Sequence, residues 1–398
     1  MNSTAQNLNL NTPWKIHKTS DLEALGGIFS NTCVFLDNKD FEEIINLLRV
    51  TQKVFSSDYY KTQITPIAPQ KTWGLFCCYD FHLTTNGPKL IEINTNAGGA
   101  LLNYDLASAQ KSLPQNAKWL FPPAFSQEKI ISQFEQEWKL SQRHGSLQHI
   151  AVVDDAPQSQ FLFPEFLRFQ KLLTEKLAPT VIVDPKDLVF ENNELIYVDE
   201  HGHRIVIDLV YNRLTDFYYS DLKNQAILKA FDSNACVISP NPFHHALYAH
   251  KNNLIHLTDT HILRTSNLEQ DEIALLISSI PNTKIVKKED AATLWHNRKN
   301  LFFKPALGYG SKAVYRGDKI THKVFEDIIQ GSYLAQEYVP AAHRMILNET
   351  GEKVLLKFDL RVYTYGGEAF LFAARLYEGQ ATNFRTLHGG FAPVYLAT

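Results

Sequence analysis

The order of apolar and polar residues predicts both helices and strands along the chain. Residues 38–57 carry apolar side chains at the spacing of an amphipathic helix. Alternating patterns then predict strands at 72–83 and 89–94, and the Asn-Gly-Pro sequence at 86–88 predicts the turn between them. Residues 38–94 are therefore predicted to form a helix followed by two strands joined in a hairpin.

The pattern changes near residues 141–150, where short apolar strands begin to alternate with helices. This alternation predicts a small open α/β domain at 141–242. Its expected elements are strands at 148–155, 180–185, 194–198, 204–213 and 235–240, and helices at 164–178 and 221–231.

The last third of the chain is predicted to be helical just after Phe243 and then rich in strands. Residues 299–318 are expected to form two strands around a glycine-rich turn, and 332–340 to form a strand ended by proline. Residues 353–379 predict a long hairpin that turns at Gly366-Gly367.

Composition narrows the class of protein. The 398 residues are too many for one ordinary core, and 44% hydrophobic content is enough to fold. The net charge of −3 gives no basic surplus, so no nucleic-acid partner is expected. No apolar run reaches the roughly 18 residues of a membrane helix, and the first residues do not resemble a secretory signal. A cytoplasmic protein without a membrane partner is expected.

Cysteine and histidine positions do not indicate a structural metal site or a disulfide. Cys77 and Cys78 are adjacent on a predicted strand, so their side chains point to opposite sides. With Cys33 and Cys236 they are expected to be buried and unpaired. The histidines at 244–261 match no zinc signature.

A candidate metal site lies on the first predicted hairpin. Glu92 and Asn94 are two residues apart on one strand and so share a face, and Asp80 lies on the preceding strand. Antiparallel pairing would bring these oxygen ligands together, and two carboxylates with an amide suit Mg²⁺. The alternative is that they are solvated polar positions on a half-exposed sheet.

A candidate phosphate site lies at 304–314. Gly308 and Gly310 do not form a Walker loop, since the Gly-Lys-Ser/Thr order is absent. With Ala313 they match a dinucleotide fingerprint formally, but that motif should open a helix, whereas a strand is expected after it here. A glycine-rich turn between antiparallel strands favours a flexible flap over phosphates, with Lys304 as a fixed charge. A plain hairpin with an exposed lysine is the alternative.

Three arginines are candidates for binding anions. Arg361 and Arg375 lie on the C-terminal hairpin and could neutralise charge in phosphoryl transfer, or form cross-strand ion pairs with Asp359 or Glu378. Arg213 follows a strand of the α/β domain, where ligands bind near the carboxyl ends of strands. It could bind a substrate carboxylate, or pair with Asp208 or Asp216.

Together these segments resemble the ATP-grasp superfamily of carboxylate–amine ligases. The stretch FFKPALGYGSKAV resembles the lysine strand and phosphate-covering loop of that family, and YLAQEYV its adenine-contacting hinge strand. DLRV, AARLY and NFRTLHGG resemble the strands and loop over the triphosphate, and YDFHLTTNGPKLIEINTNAGG the magnesium strands. The resemblance implies ATP-binding roles for Lys251, Lys304, Gly308, Gly310, Ser311, Gln336, Glu337, Tyr338, Val339 and Asn383.

The order of these segments is unusual for that superfamily, because the Glu-x-Asn strand ordinarily comes last. Here it comes first, which resembles a circularly permuted ATP-grasp, and eukaryotic-type glutathione synthetases are similarly permuted. The implied units are 1–140 with the magnesium strands, a Rossmann-like substrate domain at 141–242, a small lobe at 243–335, and a large lobe at 336–398 whose sheet includes 70–95.

The resemblance implies an ATP- and Mg²⁺-dependent ligase that joins an acid and an amine through an acyl phosphate. Asp80, Glu92 and Asn94 would hold Mg²⁺, Arg361 and Arg375 would act on the triphosphate, and an amino acid or short peptide is the expected substrate. A small-molecule kinase of the same fold and a nucleotide-binding module without turnover are the alternatives. A homodimer is left open.

Overall fold

A computed structural model describes residues 3–64, 67–68, 70–120, 127–306, 313–380, 382–383 and 386–398. The first third contains α1 (Thr4–Asn11), α2 (Ser20–Glu23), β1 (Val34–Leu36), α3 (Asn38–Ser56), α4 (Asp58–Ile64), β2 (Cys77–Thr84), β3 (Gly87–Asn94), α5 (Ala100–Ser108), β4 (Ala117–Trp119) and α6 (Gln127–Leu140).

The middle third contains shorter strands and two longer helices. Its elements are β5 (Ile150–Val153), α7 (Phe163–Lys176), β6 (Thr180–Val183), β7 (Leu188–Glu191), β8 (Glu194–Val198), β9 (Arg204–Val206), β10 (Leu209–Asn212), α8 (Gln225–Asp232) and β11 (Val237–Ser239).

The last third begins with short helices and ends in long strands. Its elements are α9 (Pro242–His244), a π-helical turn (His245–Ala249), α10 (Asn253–His256), α11 (Thr260–Thr265), α12 (Gln270–Ser279), β12 (Thr283–Ile285), α13 (Ala291–Asn297), β13 (Leu301–Pro305), β14 (Tyr315–Arg316), α14 (His322–Gln330), β15 (Tyr333–Glu337), β16 (Ala342–Leu347), β17 (Lys353–Tyr365), β18 (Glu368–Tyr377) and β19 (Gly390–Ala397).

The largest sheet joins the two ends of the chain. Its strand order is β1-β19-β18-β17-β2-β3, with β16 also paired to β17 and β4 to β19. The early hairpin β2–β3 lies beside the late hairpin β17–β18, because β2 pairs antiparallel with β17 in a register that sets Asp80 opposite Arg361. Both predicted hairpins are confirmed, the second turning at Gly366-Gly367.

The two faces of this sheet differ, because side chains alternate along each strand. One face is apolar throughout its centre, where Phe81, Leu360 and Val362 pack in one core with α3. The opposite face is apolar at one end, with Cys78 and Tyr363 in a second core. Farther along the same strands this face becomes polar, and that polar half forms the floor of a cleft.

The α/β unit is a parallel four-stranded sheet in the order β11-β10-β5-β6. The ring of Phe134 in α6 packs on Tyr211 of β10 and Phe169 of α7. α6 therefore packs against this unit, and the ring of Phe134 also contacts Phe76, the residue before β2.

One predicted strand of this unit is wrong. Residues 204–213 form two strands, since β9 pairs with β8 in a separate antiparallel sheet and β10 lies between β5 and β11. The chain changes sheets at residues 207–208, where the Asp208 carboxylate accepts hydrogen bonds from the N–H groups of Gln148 and His149. The apolar pattern continues across this change of sheet, so the sequence does not show that one strand ends and another begins there.

A small antiparallel sheet of order β12-β15-β13-β14 carries the predicted phosphate hairpin. β13 and β14 pair as expected, and Phe303, Phe325 and Ile328 form the core beneath them. The turn at 307–312, with Gly308, Gly310 and Ser311, lies outside the described residues.

The composition led to two expectations, one about the cysteines and one about membrane-spanning helices. All four cysteines are buried and unpaired, as predicted. In the part of the chain that the structure describes, no helix combines the length and apolar character needed to cross a membrane.

Candidate functional site

Two adjoining clefts meet at the polar half of the large sheet. The first lies between that sheet and the small antiparallel sheet, and the predicted site residues that line it are Asp80, Glu92, Asn94, Lys251, Lys304, Gln336, Glu337, Tyr338, Val339 and Arg375. The second adjoins the α/β unit, and its lining includes Glu92, Asn94, Lys251, Arg361, Arg375 and Asn383. The clefts therefore share four predicted residues.

Asp80 is the centre of a buried ionic network on the sheet. Arg361 donates from Nε to Asp80 Oδ1 at 2.8 Å and from Nη2 to Oδ2 at 2.7 Å. Arg375 donates from Nη2 to Asp80 Oδ2 at 2.9 Å and from Nε to Asp359 Oδ1 at 2.7 Å. Two arginines and two aspartates thus balance their charges, and the Arg375–Asp359 pair considered from the sequence is present.

The network controls the protonation of Asp80. Burial by itself raises the pKa of Asp80, but the guanidinium groups of Arg361 and Arg375 outweigh it and hold the pKa well below its usual range. Asp80 is therefore ionised at neutral pH, and it fixes the two arginines at the border of the clefts. Arg361 Nη1 takes no part in these bonds to Asp80.

The predicted metal ligands do converge, but they are not equivalent. Asp80 lies opposite Glu92 across β2 and β3, and Asn94 Nδ2 is 3.1 Å from Asp80 Oδ2 and 3.3 Å from Glu92 Oε1. Because carboxylates only accept, the amide NH₂ points to them, and Asn94 Oδ1 takes no part in these contacts.

Asp80 does not fit the role of a direct metal ligand. Its two oxygens accept four N–H hydrogen bonds, which fills the roughly four acceptor sites of a carboxylate. Glu92 and Asn94 border both clefts and supply the hard oxygen donors that Mg²⁺ takes. The donor set fits a magnesium ion held by Glu92 and Asn94, while Asp80 is bound to the two arginines.

Two lysines approach the same point from different segments. Lys304 is 6% exposed, and its ammonium donates to the Ile91 carbonyl at 3.1 Å. Burial lowers the pKa of Lys304 to about 8; nearby Glu92 raises it and Lys251 lowers it. Burial also lowers the pKa of Lys251, against an opposing effect of Glu92. Glu92 is thus the counter-charge of both ammonium groups.

The predicted hinge forms the far wall of the first cleft. Gln336 donates a hydrogen bond from Nε2 to the Ile91 carbonyl at 3.3 Å. Because Lys304 donates to the same carbonyl, both β15 and β13 contact β3. The Glu337 and Tyr338 N–H groups bond to the backbone of Asn282 and Asn300. The rings of Phe302 and Tyr338 lie nearly parallel, with centroids 6.5 Å apart, on the apolar side of the cleft.

Arg213 is not part of the lining of either cleft. Its side chain is 7% exposed, and its Nη1 donates to the Asn96 carbonyl at 2.8 Å. The protein's own 95–101 segment borders the carboxyl end of β10, where Asn96 Nδ2 donates to the Leu214 carbonyl at 2.6 Å, and Glu165 accepts from the Gly99 and Leu101 N–H groups. In this arrangement Arg213 holds the turn after Asn94, and its carboxylate-binding role stays a prediction.

The structure adds residues that the sequence analysis did not select. His82 lines the first cleft, and its Nδ1 lies 2.8 Å from the Val339 carbonyl, so it ties β2 to the hinge. Thr382 donates to Asp359 Oδ2 at 2.6 Å and lines both clefts. The signal for His82 was available, because Asp80 and His82 are two residues apart and share a face of β2.

The amino-acid sequence alone matches no protein-family model and no curated protein. Solved structures with a similar fold do exist. The structure of a glutathione synthetase-like effector from Globodera pallida has a TM-score of 0.56 at 12% identity, with 94% of this chain and 96% of that chain covered.

Two further solved structures are less similar. A putative gamma-glutamylcysteine synthetase from Methylobacillus flagellatus gives a TM-score of 0.46 at 9% identity, with 87% of each chain covered. D-alanyl-alanine synthetase A from Vibrio cholerae gives 0.31 at 11% identity, with 62% of this chain and 74% of that chain covered. The predicted α/β class is confirmed, and over nearly its whole length the chain shares the fold of a glutathione synthetase-like protein.

Proposed function

We propose that the protein is an ATP-dependent carboxylate–amine ligase that uses Mg²⁺ and forms an amide through an acyl phosphate. The observation that carries the proposal is the convergence of Glu92, Asn94, Lys251, Lys304 and the 336–339 hinge on one cleft. These groups come from four separate segments of the chain. A nucleoside triphosphate with a bound cation fits this cleft, which offers two ammonium groups, two oxygen donors for the cation and an apolar wall.

The adenine ring would lie against the hinge and the apolar wall formed by Phe302 and Tyr338. Lys251 and Lys304 would hold the phosphates. His82 would fix the position of the hinge through the Val339 carbonyl. The triphosphate would then end beside Glu92 and Asn94, where the second cleft begins.

Glu92 and Asn94 would hold the magnesium ion. When bound, the ion would neutralise charge on the β- and γ-phosphates. Arg375, which lines both clefts, would stabilise the transferring phosphoryl group, and Arg361 would act from the second cleft. Their positions depend on Asp80, because that carboxylate holds both guanidinium groups.

The reaction has two steps. A carboxylate oxygen of the acid attacks the γ-phosphorus, the bond to the bridging oxygen breaks, and ADP leaves with the electron pair. The amine nitrogen then attacks the acyl carbon, the C–O bond breaks, and inorganic phosphate leaves, while the amine releases a proton to solvent. A closed cleft would protect the acyl phosphate from water.

Circular permutation would explain why the Glu-x-Asn strand comes early in the chain. β2 and β3 lie beside β17 in the sheet, although they precede it by far in sequence. Permutation is tolerated where chain ends and new breaks fall at surface positions. Circular permutation is therefore proposed together with the ligase function.

The test is ADP and phosphate release with Mg²⁺, screened over amino acids and short peptides singly and in pairs. A ligase releases phosphate at a sustained rate only when an acid and an amine are both present. Transfer of phosphate to one stable product would favour the kinase alternative. ATP binding without ADP release from any pair would favour a nucleotide-binding module.

A further inference from the structure

The second cleft has two chemically different ends. At the end that it shares with the first cleft it is lined by Lys251, Arg361 and Arg375. At the other end the lining includes the rings of Phe217 and His245. A ligand in this cleft therefore meets cationic donors at one end and flat aromatic surface at the other.

The aromatic end is built around a stacked pair. The rings of Phe217 and His245 are 3.9 Å apart between centroids, with only 6° between their planes. The ring of Tyr218 meets His245 edge-on at 5.4 Å. His245 follows a capped turn in which Asn241 and His244 exchange backbone and side-chain hydrogen bonds. These contacts hold the imidazole plane in one orientation.

The aromatic end carries no charge at neutral pH. Burial lowers the pKa of His245 to about 3, and the nearby His250 and Lys251 lower it further. The pKa of His250 is also lowered, mainly by burial. Among the described lining residues Glu92 is the acidic one, and it faces Lys251 and Lys304. An ammonium group at the aromatic end would have no carboxylate partner there.

We propose that the second cleft binds the acid substrate, and that this acid carries an aromatic or bulky apolar group on the side away from its reacting carboxylate. The carboxylate would lie at the end shared with the first cleft, beside Glu92 and Asn94, where the γ-phosphate would end. The apolar group would extend along Phe217 and His245. This inference rests on the proposed function.

The experiment uses hydroxylamine as a general amine, because it converts acyl phosphates to hydroxamates whatever the natural amine is. The acids are N-acetylphenylalanine, N-acetylalanine and N-acetylglutamate, with ATP and Mg²⁺. The expected result is a KM for N-acetylphenylalanine at least about tenfold below the other two, since a buried aromatic side chain gains apolar contact area. Equal KM values for all three acids would overturn the inference.

The variant is Phe217→Leu, and its control is Phe190→Leu, on strand β7 outside the lining of both clefts. Phe217→Leu should raise the KM for N-acetylphenylalanine about 3- to 10-fold and leave the KM for ATP unchanged. Phe190→Leu should behave like the wild type. If Phe217→Leu leaves the preference among acids intact, the cleft is not the acid site.

Calorimetric binding of the same acids, with ADP and Mg²⁺ present, separates this inference from the proposed function. Binding of N-acetylphenylalanine that weakens in Phe217→Leu, without hydroxamate formation, would support the acid site and contradict the ligase. Hydroxamate formation without preference for the aromatic acid would support the ligase and contradict the site. If spermidine binds and none of the acids does, the inference is wrong.

Discussion

The ammonium of Lys304 lies 3.1 Å from the carbonyl oxygen of Ile91, although 213 positions separate the two residues. Gln336 donates to the same oxygen at 3.3 Å. The Ile91 carbonyl, which is next to Glu92 in the chain, therefore accepts hydrogen bonds from side chains of both β13 and β15. The contact aligns the predicted phosphate lysine with the predicted metal strand.

ATP affinity is expected to fall as pH rises through about 8. Burial lowers the pKa of Lys304 to about 8, so the ammonium loses its charge above this value. The Kd for ATP should then rise by up to roughly tenfold per pH unit, the limit for losing one proton that binding requires. Fluorescence titrations between pH 7 and pH 9 would measure this. The Lys304→Arg variant should show a flat profile, since its side chain stays charged; an unchanged wild-type Kd across the range would contradict the role.

Glu92→Gln should abolish turnover without unfolding the protein. The variant keeps the size of the side chain but loses a metal carboxylate, and ADP release should fall by about 10²-fold or more at low millimolar Mg²⁺. Glu368→Gln, at the exposed start of β18, is the control and should keep full activity. ADP release at the wild-type rate in Glu92→Gln would rule out the metal role.

Asp80→Asn should destabilise the fold as well as the site. The substitution leaves Arg361 and Arg375 buried with only the Asp359 carboxylate, and losing one partner of a buried pair costs about 3–5 kcal/mol. Because the pKa of Asp80 is lowered, its contribution is present above the ordinary pKa of aspartate and is lost as the pH falls well below it. Urea unfolding at neutral pH would measure the difference.

The matched control for Asp80 is Asp58→Asn, which removes the carboxylate of an exposed Lys61 ion pair at 3.5 Å. It should leave the unfolding midpoint unchanged, since exposed pairs contribute little. Equal midpoints for the wild type and both variants would show that the buried network is not needed for stability.

Arg213→Ala should loosen the turn that follows the metal strand. The lost bond to Asn96 should speed amide hydrogen exchange at Gly99 and Leu101, measured by mass spectrometry. Arg204→Ala, which removes an exposed bond to Glu191, is the control and should leave these amides unchanged. A rise in the KM of the acid alone, with unchanged exchange, would instead restore the carboxylate-binding role.

Local pattern was enough to predict the two hairpins of the large sheet. The alternation in 353–379 and the paired glycines predict the long hairpin, because period-2 burial is a property of one strand. The convergence of Asp80 with Glu92 and Asn94 follows from a short hairpin, where neighbours in space are also close in sequence. These expectations needed no information on distant contacts.

Tertiary structure decided which of these groups are available to a ligand. Asp80 is 281 positions from Arg361, and the pairing of β2 with β17 that joins them is set by the packing of a whole sheet. Arg213 likewise is engaged by a distant part of the chain, because its side chain donates to the Asn96 carbonyl. Sequence thus determined which side chains share a face of a strand. Only the fold decided which charges are already paired, because burial forces each ionic group to find a partner wherever the chain brings one.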